Sequence, residues 1–287
     1  MDLEYEKVID DNKTGLTDLH LHTTASDGTY PPEKVVRNAY EKGFKIISIT
    51  DHDTTEGLDE ALVAGNIYGI DVIPGIELTV EYKEVEMHIL GYYINRDNDE
   101  FQNQLQILRE IRVNRAMEMA DKLENLGCKI PIDEILAESK NKAIGRLHIA
   151  NSLIIKGYAT TIDEAMAKYL RKGRPAYVPK KRLHPSEGIM MINCIGGIAV
   201  LAHPGIAGLE KFVPDLVEFG IEGIEAFHTK HSDSQTEKYI RIAEEHNLLI
   251  TGGSDCHGLA KDTELLGNIN LPYKYITALK EYHKLKR

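Results

Sequence analysis

The chain has little positive charge for its length. Its 287 residues include 34 lysines and arginines against 45 aspartates and glutamates, which gives a formal net charge of -11. A surface of this sign repels polyanions in general, so double-stranded DNA is not an expected partner. A ligand that carries phosphate must instead meet a local group of positive side chains.

Cysteine is scarce, and long apolar runs are absent. Cys128, Cys194 and Cys256 are odd in number and far apart, which indicates reduced thiols rather than a disulfide framework. The chain begins with MDLEYEKVIDDNK, which is acidic and lacks the apolar segment of a signal peptide. No run approaches the length of a membrane span. We therefore expect a cytoplasmic protein that does not contact membranes.

The motifs of several enzyme classes are missing as well. The sequence contains no GxSxG nucleophile motif, no P-loop and no dinucleotide-binding glycine pattern. The three cysteines are best interpreted as structural, including Cys256 beside Asp255. What the chain does contain is 12 histidines, and most of them fall at the ends of predicted strands.

The sequence TDLHLHTTASD, at residues 17–27, shows this arrangement first. Polar and apolar residues alternate from Asp18 to His22, as they do along a half-buried strand. Residues two apart on a strand point to the same face, so His20 and His22 can grip one transition-metal ion. Asp27 follows just past the strand end, where α/β folds keep their active sites. The alternative is a polar strand end with two unrelated histidines.

The segments before residue 98 alternate between strand and helix patterns, which favours a parallel α/β fold. We predict helices at residues 31–42 and 59–68, and strands at residues 18–22, 44–50, 71–79 and 86–93. The same rhythm resumes at Pro185. There we predict helices at residues 186–194, 209–219, 234–246 and 277–286, and strands at residues 198–202, 221–227 and 248–251.

Residues 98–184 interrupt this rhythm with helical patterns alone. Apolar residues recur at helical spacing over residues 98–127, which core packing explains, and three shorter helices follow at 131–138, 146–156 and 162–170. We therefore predict a barrel domain from residues 1–97 and 185–287, with an all-helical insertion at 98–184 that covers the substrate.

Seven predicted strands end in side chains that can bind a metal, and a parallel barrel gathers such ends at one mouth. The candidates are His20 and His22, His52, Glu77, His88, His203, His228 or His231, and Asp255 with His257. The pattern indicates a multi-metal site, the alternative being separately satisfied core histidines. Nitrogen and oxygen ligands suit zinc, iron or manganese, and more carboxylate favours manganese or magnesium. Paired metals can hold a bridging hydroxide for phosphoryl transfer.

Seven motifs follow one another over residues 17–95 and 198–258: DLHLHTTASDGT, ITDHDT, PGIEL, HILGY, LAHP, EAFHTKHSD and GGSDCHG. They resemble the motifs of the PHP (polymerase and histidinol phosphatase) family of phosphoesterases. The resemblance implies an α/β fold, a distorted (β/α)7 barrel, with three metals. It places a first metal on the catalytic set His20, His22, Glu77 and Asp255. A second falls on Asp27, His52 and His203, and a third on His88, Glu77 and His257. His231 is favoured over His228 as a metal or phosphate contact.

Within the family, the helical insertion with GRLHIA and GRPAYVP resembles that of stand-alone nucleotide phosphatases. This implies removal of the 3'-phosphate of nucleoside 3',5'-bisphosphates with two or three divalent ions, manganese first and zinc or iron as alternatives. Other possibilities are a 5'-to-3' exonuclease on short 5'-phosphorylated RNA and a metal-stabilised scaffold that binds nucleotide without turnover.

Positive charge is concentrated in the insertion. Residues 168–182 contain seven basic and no acidic side chains, and such a loop near the barrel mouth can hold a phosphate that is not cleaved. Lys180 and Arg182 are candidates for this contact, as are Arg146 and His148. The alternative is a solvated helix end whose cations offset the helix dipole.

Overall fold

Seven strands form one sheet in a computed structural model, which describes residues 16–133, 135, 144–179, 182–259, 265–269 and 271–287. Neighbours in the sheet follow chain order. The strands are β1 (Leu16–Leu21), β2 (Phe44–Ile49), β3 (Asp71–Tyr82), β4 (Val85–Tyr92), β5 (Ile198–Leu201), β6 (Gly223–His228) and β7 (Leu249–Gly253). The sheet curls into a nearly closed barrel, as predicted.

Strand β4 departs from the predicted repeat of strand and helix. It runs antiparallel to both β3 and β5, whereas the other neighbouring strands are parallel. Only Lys83 and Glu84 connect β3 to β4, with φ angles of 49° and 64°. Such a two-residue hairpin turn reverses the chain, and it leaves no room for the crossover that a parallel strand needs.

Backbone hydrogen bonds join the segment after β7 to β1 and so close the barrel. The Asp255 amide donates to the His20 carbonyl, and the His22 amide donates to the Cys256 carbonyl, both at 3.0 Å. Gly253 permits this approach, because a Cβ atom at its position would lie 2.3 Å from the His20 Cβ. Closure of the barrel therefore brings the first histidine motif, with His20 and His22, into contact with the last motif, which contains Asp255.

Nine helices are described, and most surround the barrel. They are α1 (Pro32–Glu41), α2 (Leu58–Tyr68), α3 (Asp99–Asn125), α4 (Arg146–Ile155), α5 (Ile162–Ala165), α6 (Pro185–Cys194), α7 (Val213–Glu218), α8 (Asp233–His246) and α9 (Tyr273–Lys286). A π-helical turn, Met166–Leu170, extends α5, and a 3₁₀ turn, Leu209–Phe212, precedes α7. The helix predicted at 131–138 lies largely outside the described residues.

The hydrophobic core has separate parts. The barrel core packs strand residues such as Ile47 and Ile76 against the surrounding helices. A different cluster joins the second half of α3 to α4 and the π turn, through residues such as Leu123, Leu153 and Leu170. This second cluster lies within residues 98–184, where the sequence predicts a helical insertion, and that division into domains remains a prediction. In the described part of the chain, no helix has the length and apolar character to cross a membrane.

Candidate metal centre

Glu77 is the centre of the site. Its carboxylate is fully buried in the middle of β3 and not at its end. Five histidines surround it: Oε2 lies 3.3 Å from His20 Nε2, 3.2 Å from His22 Nε2 and 3.0 Å from His52 Nδ1, and Oε1 lies 2.8 Å from His88 Nδ1 and 3.0 Å from His203 Nε2. Burial opposes ionisation, but the surrounding histidines outweigh it and hold the pKa of Glu77 well below its usual range.

His20 and His22 lie side by side on one face of β1, as the alternation predicted, with ring centroids 5.1 Å apart. Burial lowers the pKa of His22, but the nearby carboxylates of Asp255 and Glu77 outweigh burial and raise it to about 10. These rings are protonated when only carboxylates surround them. A bound metal ion would replace those protons, because ligand imidazoles must be neutral.

Asp255 follows β7 and reaches the same two histidines. Its Oδ1 atom lies 3.2 Å from His22 Nε2 and 3.7 Å from His20 Nε2. Asp255 and His203 have φ angles of 55° and 26°. Non-glycine residues in such conformations concentrate at functional sites, where the surrounding structure maintains the strain.

A more exposed group forms around Asp27. Its Oδ2 atom lies 3.3 Å from His257 Nε2, and its Oδ1 atom lies 3.8 Å from His22 Nδ1. Burial raises the pKa of Asp27, but His257 and the neighbouring His52 and His22 outweigh it, so the carboxyl stays ionised.

The reversed direction of β4 accounts for the position of His88. In an antiparallel strand it is the amino-terminal half that lies at the barrel mouth, and His88 pairs there with Thr79 of β3. Its Nδ1 atom is 3.3 Å from His203 Nε2. A parallel β4 would have carried this side chain towards the other end of the barrel.

Two buried carboxylates that the sequence analysis missed orient this centre. Glu225 accepts from His20 Nδ1 at 3.0 Å and from the His203 amide at 2.7 Å. Asp51 accepts from the amide and the hydroxyl of Thr23 at 2.8 and 2.7 Å and so fixes the loop that leads to Asp27. An acidic residue inside the otherwise apolar strand GIEAFH was the available signal for Glu225.

The donor set fits divalent metal ions. Ring nitrogens of His20, His22, His52 and His203 and the Oε2 atom of Glu77 are buried without a hydrogen-bond partner. Buried polar groups normally have partners, and metal coordination would satisfy these atoms. Three sets have ligand atoms within 4.8 Å of one another: His20, His22, Glu77 and Asp255; His22, Asp27, His52 and His257; and His52, Glu77 and His88.

The first set has the same members as the first metal site implied by the family resemblance. The other two implied sites differ from the geometry. His257 lies beside Asp27 and not beside His88, and His203 lies beside Glu77 and His88 and not beside Asp27. The reason is that loops at the mouth, rather than strand order, decide which ring reaches which carboxylate.

His231 does not point into the centre. Its Nδ1 atom donates to the Ala226 carbonyl at 2.9 Å, and its Nε2 atom accepts from the Gly205 amide at 3.1 Å. Both ring nitrogens therefore bind the backbone, and neither is available to a metal or phosphate. His228, rather than His231, has its ring beside the centre: the ring is buried, 5.5 Å from the ring of His203.

A cleft of about 430 Å³ opens beside this centre and is lined from the other side by four arginines. Asp27, His52 and His88 line the barrel side. An arginine cluster of Arg112, Arg115, Arg146 and Arg182 lines the cleft, together with His148 and Tyr177.

The predicted contacts Arg146, His148 and Arg182 thus lie in the cleft. Lys180 is outside the described residues. Arg112 and Arg115 are in α3, a helix for which the sequence analysis considered only the apolar residues.

The four arginines differ in their partners. Arg112 forms an ion pair with Asp53, and Arg182 with Glu81 and Glu86. Arg115 and Arg146 have no ion pair with any described residue, although Arg115 Nε donates to the Val178 carbonyl at 3.0 Å. Burial and the neighbouring charge of Arg146 lower the pKa of Arg115. An anion between these two side chains would relieve their repulsion.

Comparisons with known proteins agree with this chemistry. A family model described as the PHP domain matches residues 18–172. A 5'-3' exoribonuclease of Haemophilus influenzae is 32% identical in an alignment of 259 residues that covers 88% of this chain and 94% of that protein. A 3',5'-nucleoside bisphosphate phosphatase of Chromobacterium violaceum is 32% identical over 246 residues, 84% of this chain and 86% of that protein.

A solved structure from Bifidobacterium adolescentis, assigned as a metal-dependent phosphoesterase, superimposes with a TM-score of 0.77 at 30% identity. The match covers 92% of this chain and 94% of that one.

Proposed function

This chain belongs to the PHP family of metal-dependent phosphoesterases, and from that premise we propose that it removes the 3'-phosphate of nucleoside 3',5'-bisphosphates. That it is a hydrolase of phosphate esters follows from the family. What we propose beyond the family is the identity of the substrate. In this proposal the histidine–carboxylate centre binds the nucleotide's 3'-phosphate, and the arginine cluster binds its 5'-phosphate.

The observation that supports this proposal is that residues of the histidine–carboxylate centre and two arginines without an acidic partner among the described residues line the same cleft. Two arginines, Arg115 and Arg146, have no carboxylate partner among the described residues, in a protein whose net charge is -11. Guanidinium groups bind phosphate oxygens in a bidentate manner. A substrate with one phosphate would use only the centre and leave these charges without a ligand.

The residues of the centre would hold the metal ions. His20, His22, Glu77 and Asp255 would bind one of them, and the two other sets, around Asp27 and His88, would bind the rest. When bound, divalent ions lower the pKa of water towards neutrality and neutralise charge on the reacting phosphoryl group. Manganese is our first choice because of the carboxylate content.

The protein's own groups would then orient the reaction. Glu225 fixes the tautomer of His20, so that Nε2 faces the centre. Arg115 and Arg146 would hold the non-reacting phosphate and so align the ester with the centre. Hydrolysis breaks the bond between phosphorus and the 3'-oxygen, adds the oxygen of water to phosphorus and releases inorganic phosphate and a 3'-hydroxyl.

The exonuclease activity remains the second candidate, because the Haemophilus influenzae relative that is 32% identical has that activity. The same arginines could hold the 5'-phosphate of a short RNA, with the first phosphodiester at the centre. The two candidates thus share one binding scheme and differ in whether the ester oxygen carries a further nucleotide.

A substrate panel tests the proposal. We would measure phosphate release in Mn²⁺ from adenosine 3',5'-bisphosphate, from adenosine 3'-monophosphate and from adenosine 5'-monophosphate, and mononucleotide release from a 5'-phosphorylated RNA trimer. We expect kcat/KM for the bisphosphate to exceed that for the 3'-monophosphate by about tenfold or more, because the arginine contact is lost in the latter. Equal values for the two would refute the second phosphate site, and turnover of the RNA alone would establish the exonuclease instead.

A further inference from the structure

His228, the last residue of β6, has its ring enclosed by the centre. The side chain has no exposed surface, and its ring lies 6.4 Å from that of His20 and 5.5 Å from that of His203. The Lys230 amide donates to His228 Nδ1 at 3.1 Å. A nitrogen that accepts a hydrogen bond carries no proton, so the proton of this neutral imidazole is on Nε2.

This tautomer is opposite to that of the ligand-type histidines. His20 donates from Nδ1 to Glu225 at 3.0 Å, and His257 donates from Nδ1 to the Asp255 carbonyl at 2.8 Å. With a metal ion in place of the ring proton on that side, both would present the lone pair of Nε2 to the centre, as metal-binding histidines do. His228 presents an N–H group there. It cannot bind a metal through Nε2, and its Nδ1 lone pair is already taken by the backbone.

One carboxylate oxygen of the described residues lies within 4.0 Å of His228 Nε2. Nε2 is buried without a hydrogen-bond partner and lies 3.9 Å from Asp255 Oδ2. The other oxygen, Oδ1, is the one that lies 3.2 Å from His22 Nε2. Asp255 thus turns one oxygen to the histidines of the first metal set and the other to His228.

We propose that His228 is a positioning residue that donates a hydrogen bond from Nε2 to Asp255 Oδ2, and so reserves Oδ1 for the metal. The inference rests on the metal centre of the proposed function. A shift of the carboxylate by about 1 Å brings the two atoms to hydrogen-bonding distance. Because the ring has no exposed surface, a substrate cannot reach it, and its role is exerted through Asp255.

Lys230 is a weaker alternative for the same task. Its Nζ atom lies 4.0 Å from Asp255 Oδ2, but the side chain is 49% exposed. Water screens a charge in that position, and a flexible lysine directs a carboxylate less than an enclosed ring does. Of these two side chains, the enclosed ring of His228 is therefore the better-fixed donor to Oδ2.

The test is calorimetric titration of the metal-free protein with Mn²⁺ alone. His228→Leu removes the donor and keeps an apolar side chain of moderate size, whereas His228→Gln restores an N–H at a similar reach. We expect the Leu variant to bind Mn²⁺ about tenfold or more weakly and the Gln variant to come within about threefold of wild type, as for other partners of metal ligands. Thr229→Val, which loses only a hydroxyl bond to the Ser254 carbonyl, is the matched control for disturbance of the loop.

Each outcome of the titration supports or overturns the role of His228. Wild-type affinity in the Leu variant would overturn the inference. Loss of one whole ion from the stoichiometry of both variants would also overturn it, because His228 would then be a ligand. If the Leu variant does not fold, His228→Asn takes its place, since its amide is too short to reach Asp255. A wild-type protein that binds neither Mn²⁺ nor, in the same titration, Zn²⁺ or Fe²⁺ would refute the proposed function itself.

Discussion

The two sides of the cleft differ in how firmly the protein holds their side chains. On the barrel side, Glu77 is fully buried among histidines, and Glu225 orients two of the surrounding groups through hydrogen bonds. On the other side, the arginines extend from helices α3 and α4 and from the residues before α6. Two of them have acidic partners, and Arg115 and Arg146 have none among the described residues.

This difference between the two sides determines which substitutions should affect which substrates. A centre that is buried and partly held by neighbouring carboxylates tolerates little substitution, because its geometry is shared among many residues. Positive charge without an internal partner is available to a ligand, and it can be added or removed without disturbing the centre. We therefore expect changes in the centre to affect all substrates and changes in the arginine cluster to affect only some.

The largest effect should come from Glu77→Gln. The substitution keeps the shape but places an amide where five histidines meet a carboxylate, so metal binding should fail. Because replacing even a partner of a metal ligand costs about 10–100-fold, we expect kcat/KM for p-nitrophenyl phosphate to fall more than about 100-fold. Assays in saturating Mn²⁺ measure this, with the exposed Glu237→Gln as control. Activity near wild type would remove Glu77 from the centre.

Glu225→Gln should have a smaller effect on the same side. The amide can still accept one of the two hydrogen bonds, from His20 Nδ1 or from the His203 amide, but it opposes the other. We expect Mn²⁺ affinity to fall about 10–100-fold, measured by calorimetry. Glu222→Gln is the matched control, because Glu222 pairs with Lys286 at 2.6 Å and has no contact with the centre. An equal loss of affinity in both variants would mean that destabilisation, not orientation, is the cause.

The sequence predicts the strands well where periodicity is strong. The predicted strand at residues 44–50 corresponds to β2, Phe44–Ile49, and the predicted helix at 98–127 corresponds to α3, Asp99–Asn125. The direction of β4 was not predictable in this way. Its turn, Lys83 and Glu84, lacks the Asn-Gly or Asp-Gly pair that marks hairpins, and both residues adopt left-handed conformations that favour glycine.

The site was predictable where its residues are on strands. Alternation places His20 and His22 on one face, and that inference needs no tertiary information. Arg112 and Arg115 gave no such signal, because the spacing of three residues along a helix is common to packed and exposed positions. The choice between His228 and His231 depends on which backbone groups each ring meets, and sequence patterns carry no information on that.

Arg146→Ala tests the arginine side directly. We expect kcat/KM for adenosine 3',5'-bisphosphate to fall about tenfold or more, since a charged hydrogen bond contributes about 1.5–3 kcal/mol. Turnover of p-nitrophenyl phosphate, which has no second phosphate, should stay unchanged. Arg171→Ala serves as control, because that arginine is 57% exposed and pairs with Asp163. Equal losses on both substrates would place Arg146 at the reacting phosphate.

The smallest effect on catalysis should come from Arg182→Met. This substitution tests an arginine of the cluster that already has acidic partners. Arg182 lines the same cleft, but Glu81 and Glu86 already neutralise its charge, so little attraction is left for a phosphate. We expect the loss of bisphosphate turnover to be less than about threefold, below the tenfold step that a direct charged contact gives.

The main effect of Arg182→Met should be on stability, because two charged hydrogen bonds in a side chain only 16% exposed are lost, at about 1.5–3 kcal/mol each. Thermal unfolding measures that loss, and Lys172→Met, which removes an exposed pair with Glu84, should show almost none. A tenfold loss for the bisphosphate, with turnover of p-nitrophenyl phosphate unchanged, would show that Arg182 exchanges its internal carboxylates for the substrate. Lack of an internal partner would then no longer identify the arginines that bind phosphate.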